Sequence, residues 1–370
     1  MSWMVTRHQL DATQIRAIDQ VLKDGNYFVT GEAGTGKSVV LAHAGMLYRR
    51  LHPETRICAL TYTNALVSCL NEGLDGRGVD CMTFHKFMRL PRSQRYDLVF
   101  IDEAQDLKPD WVGQILGRGS KFILFGDFAQ SIYGFDSKLV EEDELKKMFG
   151  ICETIVLTKD YRLPKNCRSL VQTIFSDRKF EAVPWRLMAN AQIPLFRADD
   201  WDEEMRFVVQ KAKAHAVSGR PVAILFEQKR AIFHFFHTVL EEYTSEDFKL
   251  ENVNDLLERH NVPIRFFGGG IGDFKEGDVK PLTYVMTWHS SKGLDFETVI
   301  LPNLAKSPCR ANPFYVALTR SRRNLVLTYS GKQNIQIEKA RSCSAVCTLA
   351  SDTGECVTVK EKGFEQGLLF

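Results

Sequence analysis

Val29-Thr30-Gly31-Glu32-Ala33-Gly34-Thr35-Gly36-Lys37-Ser38 is the stretch on which the reading of this chain turns. The extended-looking Tyr27-Phe28-Val29-Thr30 runs into it, and the apolar helical start Val39-Val40-Leu41-Ala42 leaves it. Gly31-x-x-x-x-Gly36-Lys37-Ser38 in a strand–turn–helix setting describes a loop whose backbone N–H groups cradle phosphates. The glycines (Gly31, Gly34, Gly36) and Thr35 let the backbone face an anion, and the helix N-terminus adds positive potential. Lys37 is placed to reach the terminal phosphates, and the Ser38 hydroxyl suits Mg2+.

A second extended run, Tyr96–Ile101, ends in Asp102-Glu103-Ala104-Gln105. An acid at the end of a buried strand is costly unless paired, and a magnesium ion is a natural partner for Asp102. Glu103 beside it is the candidate to orient and deprotonate a water, which suits hydrolysis better than transfer to a substrate. ATP with Mg2+ is the expected cofactor pair.

Around these motifs, the 370 residues alternate short apolar runs with helical patterns and show no internal repeat. Strands are expected at 27–30, 57–61, 98–101, 122–125 and 154–157, then at 222–226, 264–267, 284–288, 298–301 and 325–329. Helices at 12–23, 37–51, 64–72 and 141–149, then 164–175, 202–217, 229–242, 253–260 and 313–320, fall between them. Such alternation predicts an α/β chain of two parallel sheets wrapped by helices, with units at 1–157 and 158–330 and a tail at 331–370. A hydrophobic share of 44% and a net charge of +2 exclude a basic coat for nucleic acid, so such a partner needs a local groove. No apolar run is long enough for export or a membrane span, and a cytoplasmic chain with reduced thiols among its nine cysteines is expected. The spacing of Cys309, Cys343, Cys347 and Cys356 is too loose for a metal site.

The ordered set of motifs from Leu10 to Arg323 resembles the superfamily 1 DNA helicases of the UvrD/Rep/PcrA type. Leu10-Asp11-Ala12-Thr13-Gln14 is similar to the segment that reads adenine, which implies Gln14 on the base. Tyr62-Thr63-Asn64 and Thr83-Phe84-His85 resemble the segments that touch single-stranded DNA. Gly126-Asp127-Phe128-Ala129-Gln130 resembles the motif whose Gln meets the γ-phosphate, and Tyr133 and Phe135 follow as stacking aromatics. Asp160-Tyr161-Arg162 resembles the pair of a Tyr on adenine and an Arg on the γ-phosphate. Thr287-Trp288-His289-Ser290-Ser291-Lys292-Gly293-Leu294-Asp295 is similar to motif V, which implies nucleotide contacts at Gly293 and Asp295 and DNA contacts at Trp288, His289 and Ser290. Val316-Ala317-Leu318-Thr319-Arg320 is similar to the last motif, with Arg320 as a second arginine finger.

The resemblance implies two RecA-like domains with ATP in the cleft between them, closed by ATP and opened by its hydrolysis, and 3′-to-5′ movement on single-stranded DNA in repair, replication or recombination. RNA as the track, and a regulatory ATPase subunit of a larger complex, for example in phage defence, are the alternatives. About two of the aromatics Tyr62, Phe84, Tyr133, Phe135 and Trp288 are expected in the core. The large insertions usual after the Thr-Phe-His segment and before motif V are missing, which leaves a minimal motor, monomeric or one subunit of a complex. Gln366, Leu369 and Phe370 resemble a sliding-clamp peptide, although a tail docking on its own domain is the plainer reading. His234 and His237 read as an aromatic helix face. The acids Asp199, Asp200, Asp202, Glu203 and Glu204 read as helix-dipole residues, and Lys159, Lys165 and Arg168 as a solvated face.

Overall fold

The structure, a computed structural model, describes residues 4–74, 78–128, 139–176, 181–182, 192–272, 282–350 and 356–357. In the first unit, α1 (Ala12–Val21) precedes β1 (Asn26–Gly31), α2 (Lys37–Leu51), β2 (Ile57–Thr61), α3 (Asn64–Leu74), β3 (Val79–Thr83) and α4 (Phe84–Arg89). There follow β4 (Tyr96–Ile101), α5 (Pro109–Leu116), β5 (Gly119–Gly126), α6 (Glu142–Met148) and β6 (Ile151–Leu157). All pairings in its sheet are parallel, in the order β3-β2-β4-β5-β1-β6. β2 is buried at every position and β4 at all but one, as strands covered on both faces must be. One face packs Val40, Leu41 and Phe100, and the other packs Phe84, Phe87, Val99 and Phe122. β5 lies between the phosphate-loop strand and the acidic strand, so both loops open at the same carboxyl edge of the sheet.

The chain crosses to the second unit through β7 (Lys159–Asp160), paired with β8 (Glu181–Ala182), and α7 (Lys165–Ile174). The unit continues with β9 (Ile193–Ala198), α8 (Trp201–His215), β10 (Val222–Phe226), α9 (Lys229–Leu240), α10 (Val253–Arg259), β11 (Ile264–Phe266) and β12 (Thr283–Thr287). It ends with β13 (Phe296–Leu301), α11 (Ala311–Leu318), β14 (Ser321–Ser330), α12 (Ile335–Ser342), β15 (Val346–Ala350) and β16 (Cys356–Val357). Its sheet runs β11-β12-β10-β13-β14-β9-β15-β16 and is parallel apart from the β15–β16 pair. The expected α/β class with two parallel-sheet units wrapped by helices is what the chain forms.

Four expectations need correction. Residues 331–350 are not a tail: α12 packs into the second core and β15 pairs in parallel with β9. Arg168 is not solvated, because its guanidinium pairs at 3.2 Å with Asp160, which is itself fully buried. Asp200 and Glu203 do cap α8, but Glu204 points inward, where it accepts hydrogen bonds from Asn303 N and Thr328 Oγ1. Cys347 is disulfide-bonded, whereas Cys58, Cys69, Cys81, Cys152, Cys167, Cys309 and Cys343 are free thiols. Among the described residues no cluster of three metal-ligating side chains occurs, and no helix is long and apolar enough to cross a membrane.

Candidate nucleotide and nucleic-acid site

Gly34 and Gly36 both adopt φ +84°, the left-handed region that a side chain resists, and Gly36 caps α2. Each is also crowded: a methyl on Gly34 would overlap Asp160 Oδ1, and one on Gly36 would lie 2.5 Å from Gln14 Nε2. The turn therefore keeps the first N–H groups of α2 at the surface of the loop. The Lys37 ammonium lies against the carbonyls of Gly31 (2.6 Å) and Glu32 (3.2 Å), and Ser38 Oγ is 3.5 Å from Asp102 Oδ2. A hydroxyl and a carboxylate at that separation are hard oxygen donors of the kind Mg2+ takes, so Ser38 and Asp102 fit the ion. Gly34→Ala is expected to weaken ATP binding at least about tenfold, since the αL penalty alone approaches 1–2 kcal/mol. Isothermal titration of the variant with ATP and Mg2+ checks this.

The acidic turn is built on an unusual backbone. Glu103 has φ +55°, which for a non-glycine residue carries strain and fixes where its side chain leaves the chain. Gln105 Nε2 donates to its carboxylate at 2.5 Å, while Gln105 Oε1 accepts from Asp127 N at 3.0 Å, tying the ends of β4 and β5 together. Lys292 arrives from the other unit, nearly buried, to pair with Asp106 and to stand 3.6 Å from Glu103 Oε2. Burial and the neighbouring Glu103 push the Asp102 carboxyl up to about 7. Burial acts on Glu103 in the same direction, but Lys292 and Lys37 outweigh it and hold Glu103 below the usual carboxylate range. Lys37 is pushed down by burial, pulled back by Asp127, Glu103 and Asp102, and pushed down again by the Arg162 charge.

Cations of the second unit thus reach the phosphate loop. Arg162 Nη1 pairs with Asp295 at 2.5 Å, which leaves its buried Nε and Nη2 without a hydrogen-bond partner among the described residues. Two buried, unanswered donors on a guanidinium are the chemistry that an anion's oxygens satisfy. Arg320, 2% exposed, is held by Val316 O, Leu294 O and Thr319 Oγ1. Burial and the Arg162 charge push it down to about 10 against the pull of Asp295 and Glu103. Tyr315 OH donates to Glu32 Oε2 at 2.5 Å and accepts from Ala33 N, a further tie between units. Gln14 and Tyr161 meet at Asp11: Gln14 Oε1 accepts Asp11 N at 3.2 Å, and the Tyr161 hydroxyl donates to the Asp11 carboxylate. Gln14 Nε2 also donates to Thr35 O, so its amide braces the phosphate loop.

Two residues expected at the nucleotide also tie the units together. Asp295 holds Arg162 and, at 3.7 Å, Arg322, which makes it an anchor for the arginine. The bare Cα of Gly293 (φ +78°) seats Leu66 of α3, so this glycine spaces the two units.

A second face forms where β2 and β3 end side by side, with Thr61 opposite Thr83. Thr63 Oγ1 accepts Leu66 N and Thr83 Oγ1 accepts Lys86 N, which caps α3 and α4 and leaves Asn64 and His85 exposed. Tyr62 is half-buried above them. Phe84 and Trp288, however, are fully buried and cannot stack on a base: Phe84 packs under β2 and β3, and Trp288 lies on Phe314 with its Nε1 donating to Leu225 O. Half-buried Trp111 stacks on Phe84 (5.5 Å, 21°), with His85 edge-on at 5.0 Å and the Lys108 ammonium 5.2 Å from its ring. His289 and Ser290 flank the seam on the other unit, and Ser290 Oγ lies 2.9 Å from Thr287 Oγ1. Sequence reasoning missed Trp111, Asp127, Asp106 and Tyr315; Trp111, two residues past Lys108-Pro109, carried an aromatic-plus-cation signal. Gln130, Tyr133 and Phe135, like Gln366, Leu369 and Phe370, lie outside the described residues.

Two families match this chain: the AAA domain over residues 14–136 and the UvrD-like helicase C-terminal domain over residues 282–328. DNA helicase II of Escherichia coli (strain K12) is 28% identical over 186 residues, 48% of this chain and 23% of that protein. DNA helicase II of Salmonella typhimurium is 26% identical over the same length and shares. The match thus spans less than a quarter of either relative. Among solved structures, the PRRSV helicase has a TM-score of 0.47 at 16% identity, covering 87% of this chain and 56% of that one. Arterivirus nonstructural protein 10 (helicase) has 0.47 at 14%, covering 88% and 64%.

Proposed function

We propose that the chain, matched by the AAA and UvrD-like helicase C-terminal domains, works as a UvrD-like superfamily 1 motor that hydrolyses ATP and uses the cycle to move along single-stranded DNA. The observation that carries this is Arg162, a second-unit guanidinium with two buried unanswered donors and a charge felt by Lys37 of the phosphate loop. An ATP γ-phosphate between the units answers those donors and draws Arg162 and Arg320 toward Lys37; once hydrolysis removes that charge, the attraction between the units falls. Mg2+ held by Ser38 and Asp102 would supply charge neutralisation at the β- and γ-phosphates. Glu103 takes the proton of the attacking water, and Tyr161 and Gln14 bracket the base end.

Nucleic acid then lies across the seam, with Tyr62, Thr63, Asn64, Thr83, His85 and Trp111 on one side and His289 and Ser290 on the other. Such contacts grip phosphates and base faces without reading sequence. The family resemblance supports 3′-to-5′ polarity and a role in repair, replication or recombination. With no large insertion between Phe87 and Asp102, and only Gly270 to Lys280 ahead of the motif V segment, the chain reads as a motor core, and we expect translocation rather than unaided unwinding. It acts in the cytoplasm as a monomer or within a complex.

Steady-state ATP hydrolysis with single-stranded DNA, with RNA of the same sequence, and with neither tests this. Strong salt-sensitive stimulation by DNA supports the reading, and preferential stimulation by RNA moves the track to RNA. A rate indifferent to both sinks the motor and leaves a regulatory ATPase. Trp111→Ala is expected to weaken binding of single-stranded DNA by about 1–3 kcal/mol, the value of one stacked base. Fluorescence anisotropy at fixed salt reads it.

A further inference from the structure

Glu32 is an acid inside a loop built to take an anion, and the other unit answers it. Tyr315 OH donates to Glu32 Oε2 at 2.5 Å and takes Ala33 N at 3.5 Å. The Ala33 side chain is buried and forms part of the second unit's apolar core. Gly34 O accepts Tyr161 N at 2.9 Å. Three consecutive loop residues, Glu32, Ala33 and Gly34, thus rest on the second unit. The first unit ties the same stretch through the backbone, where Thr35 Oγ1 and Lys37 Nζ donate to Glu32 O at 2.9 and 3.2 Å. Tyr315 is a fixed donor: its ring is fully buried on α11 and meets Phe175 edge-on at 5.7 Å. Burial, with Glu32 and Asp127 nearby, pushes its hydroxyl well above the usual value, so it keeps its proton.

A carboxylate in a phosphate loop is a liability, because like charges a few ångströms apart repel and a phosphate must enter beside it. A hydroxyl that donates to the carboxylate from the opposite unit both stabilises that charge and fixes its direction. After burial, the strongest influences on Lys37 are Asp127, Glu103, Asp102 and Arg162, in keeping with a Glu32 carboxylate directed at α11 instead. Resting on the ATP site proposed above, we infer that Tyr315 is a positioning residue for the phosphate loop. Its hydroxyl draws the Glu32 carboxylate onto α11 and keeps the loop's N–H groups clear for the phosphates of a nucleoside di- or triphosphate. The device acts on phosphates that ATP and ADP share, not on the group transferred, so it governs nucleotide binding and leaves the chemical step alone. The cradle is therefore a product of both units: the first supplies the loop, and the second supplies its seat.

Tyr315→Phe isolates the contact, because it keeps the buried ring and removes only the hydroxyl. Equilibrium titration with ADP and Mg2+, and steady-state ATP hydrolysis, are measured on the full chain for wild type, Tyr315→Phe, Glu32→Gln and the double variant. For Tyr315→Phe, Kd for ADP and KM for ATP are expected to rise about fivefold or more, the scale of one lost hydrogen bond. A loss of ground-state binding alone leaves kcat within about twofold. Glu32→Gln removes the charge that needed an answer and is expected to bind ADP at least as tightly as wild type. In the double variant the loss caused by Tyr315→Phe largely disappears, since no carboxylate remains to swing into the loop. A merely structural hydroxyl gives no such rescue, because independent changes add. An unchanged ADP affinity in Tyr315→Phe, a fall in its kcat without a change in Kd, or a double variant as weak as Tyr315→Phe overturns the inference alone. A wild-type chain that binds neither ATP nor ADP overturns the functional reading and the inference together.

Discussion

Glu103→Gln is expected to cut kcat for ATP by about 10²–10⁴, the range for loss of a general base, while ATP still binds. The glutamine keeps the side chain's length and an oxygen for Gln105 Nε2, whose bond to Glu103 is 2.5 Å. It also keeps the backbone at φ +55° unchanged, so the turn has no reason to rearrange. What disappears is the ability to accept a proton, together with the negative charge that faces Lys292, Lys37 and Arg320. A loss confined to the chemical step lowers kcat and leaves ATP binding intact. Single-turnover hydrolysis beside equilibrium titration separates the two quantities. Retained turnover would move the base elsewhere, and Asp127, close enough to act on Lys37, would be the next residue to change.

Arg162→Ala is the second large effect. Loss of an arginine that stabilises the transferred phosphoryl group costs about 10³–10⁵ in kcat. The position allows a clean reading because the arginine's structural duty is small: its one described ion pair is with Asp295, which keeps Arg322 at 3.7 Å. The variant should therefore fold, with a melting temperature close to wild type, and fail in turnover. Arg162→Lys is informative beside it, since a point charge replaces the planar fork and cannot supply both donors. Recovery of no more than about a tenth of the lost rate is expected from lysine at a bidentate site. If instead KM for ATP rises while kcat holds, Arg162 contributes uniform binding and the arginine-finger role is wrong.

Much of the architecture was legible because its constraints are local. Phosphate loops admit few residue types, so Gly31 to Ser38 announced strand, turn and helix at once. The central strands β2 and β10 are buried at every residue, nearly all of them apolar, and were placed to the residue. The strands β3 and β9 were not. β3 carries Asp80 and Thr83, and β9 contains Pro194, tolerated because the ladder to β14 begins only at Leu195. Site residues split along the same line. Motif spacing singles out Lys37, Asp102 and Glu103, and the family resemblance Arg162 and Arg320, but neither says which way an aromatic points, so Phe84 and Trp288 were read as facing nucleic acid when both are core. Nor does spacing reveal pairs that meet from afar: Lys292 and Asp106 are separated by 186 positions, and Tyr315 and Glu32 by 283.

The crossing between the units has a mechanical consequence. The chain leaves β6 at Leu157, whose carbonyl lies against Gly31, and within a few residues Tyr161 N bonds to Gly34 O at 2.9 Å. The pivot of the molecule is thus riveted to the phosphate loop. Rotation about a pivot moves nearby atoms least and distant atoms most. On the function proposed above, a small settling of Arg162 onto a phosphate would therefore be geared up into a larger sweep at the far rim of the second unit, while the loop stays still beneath its load.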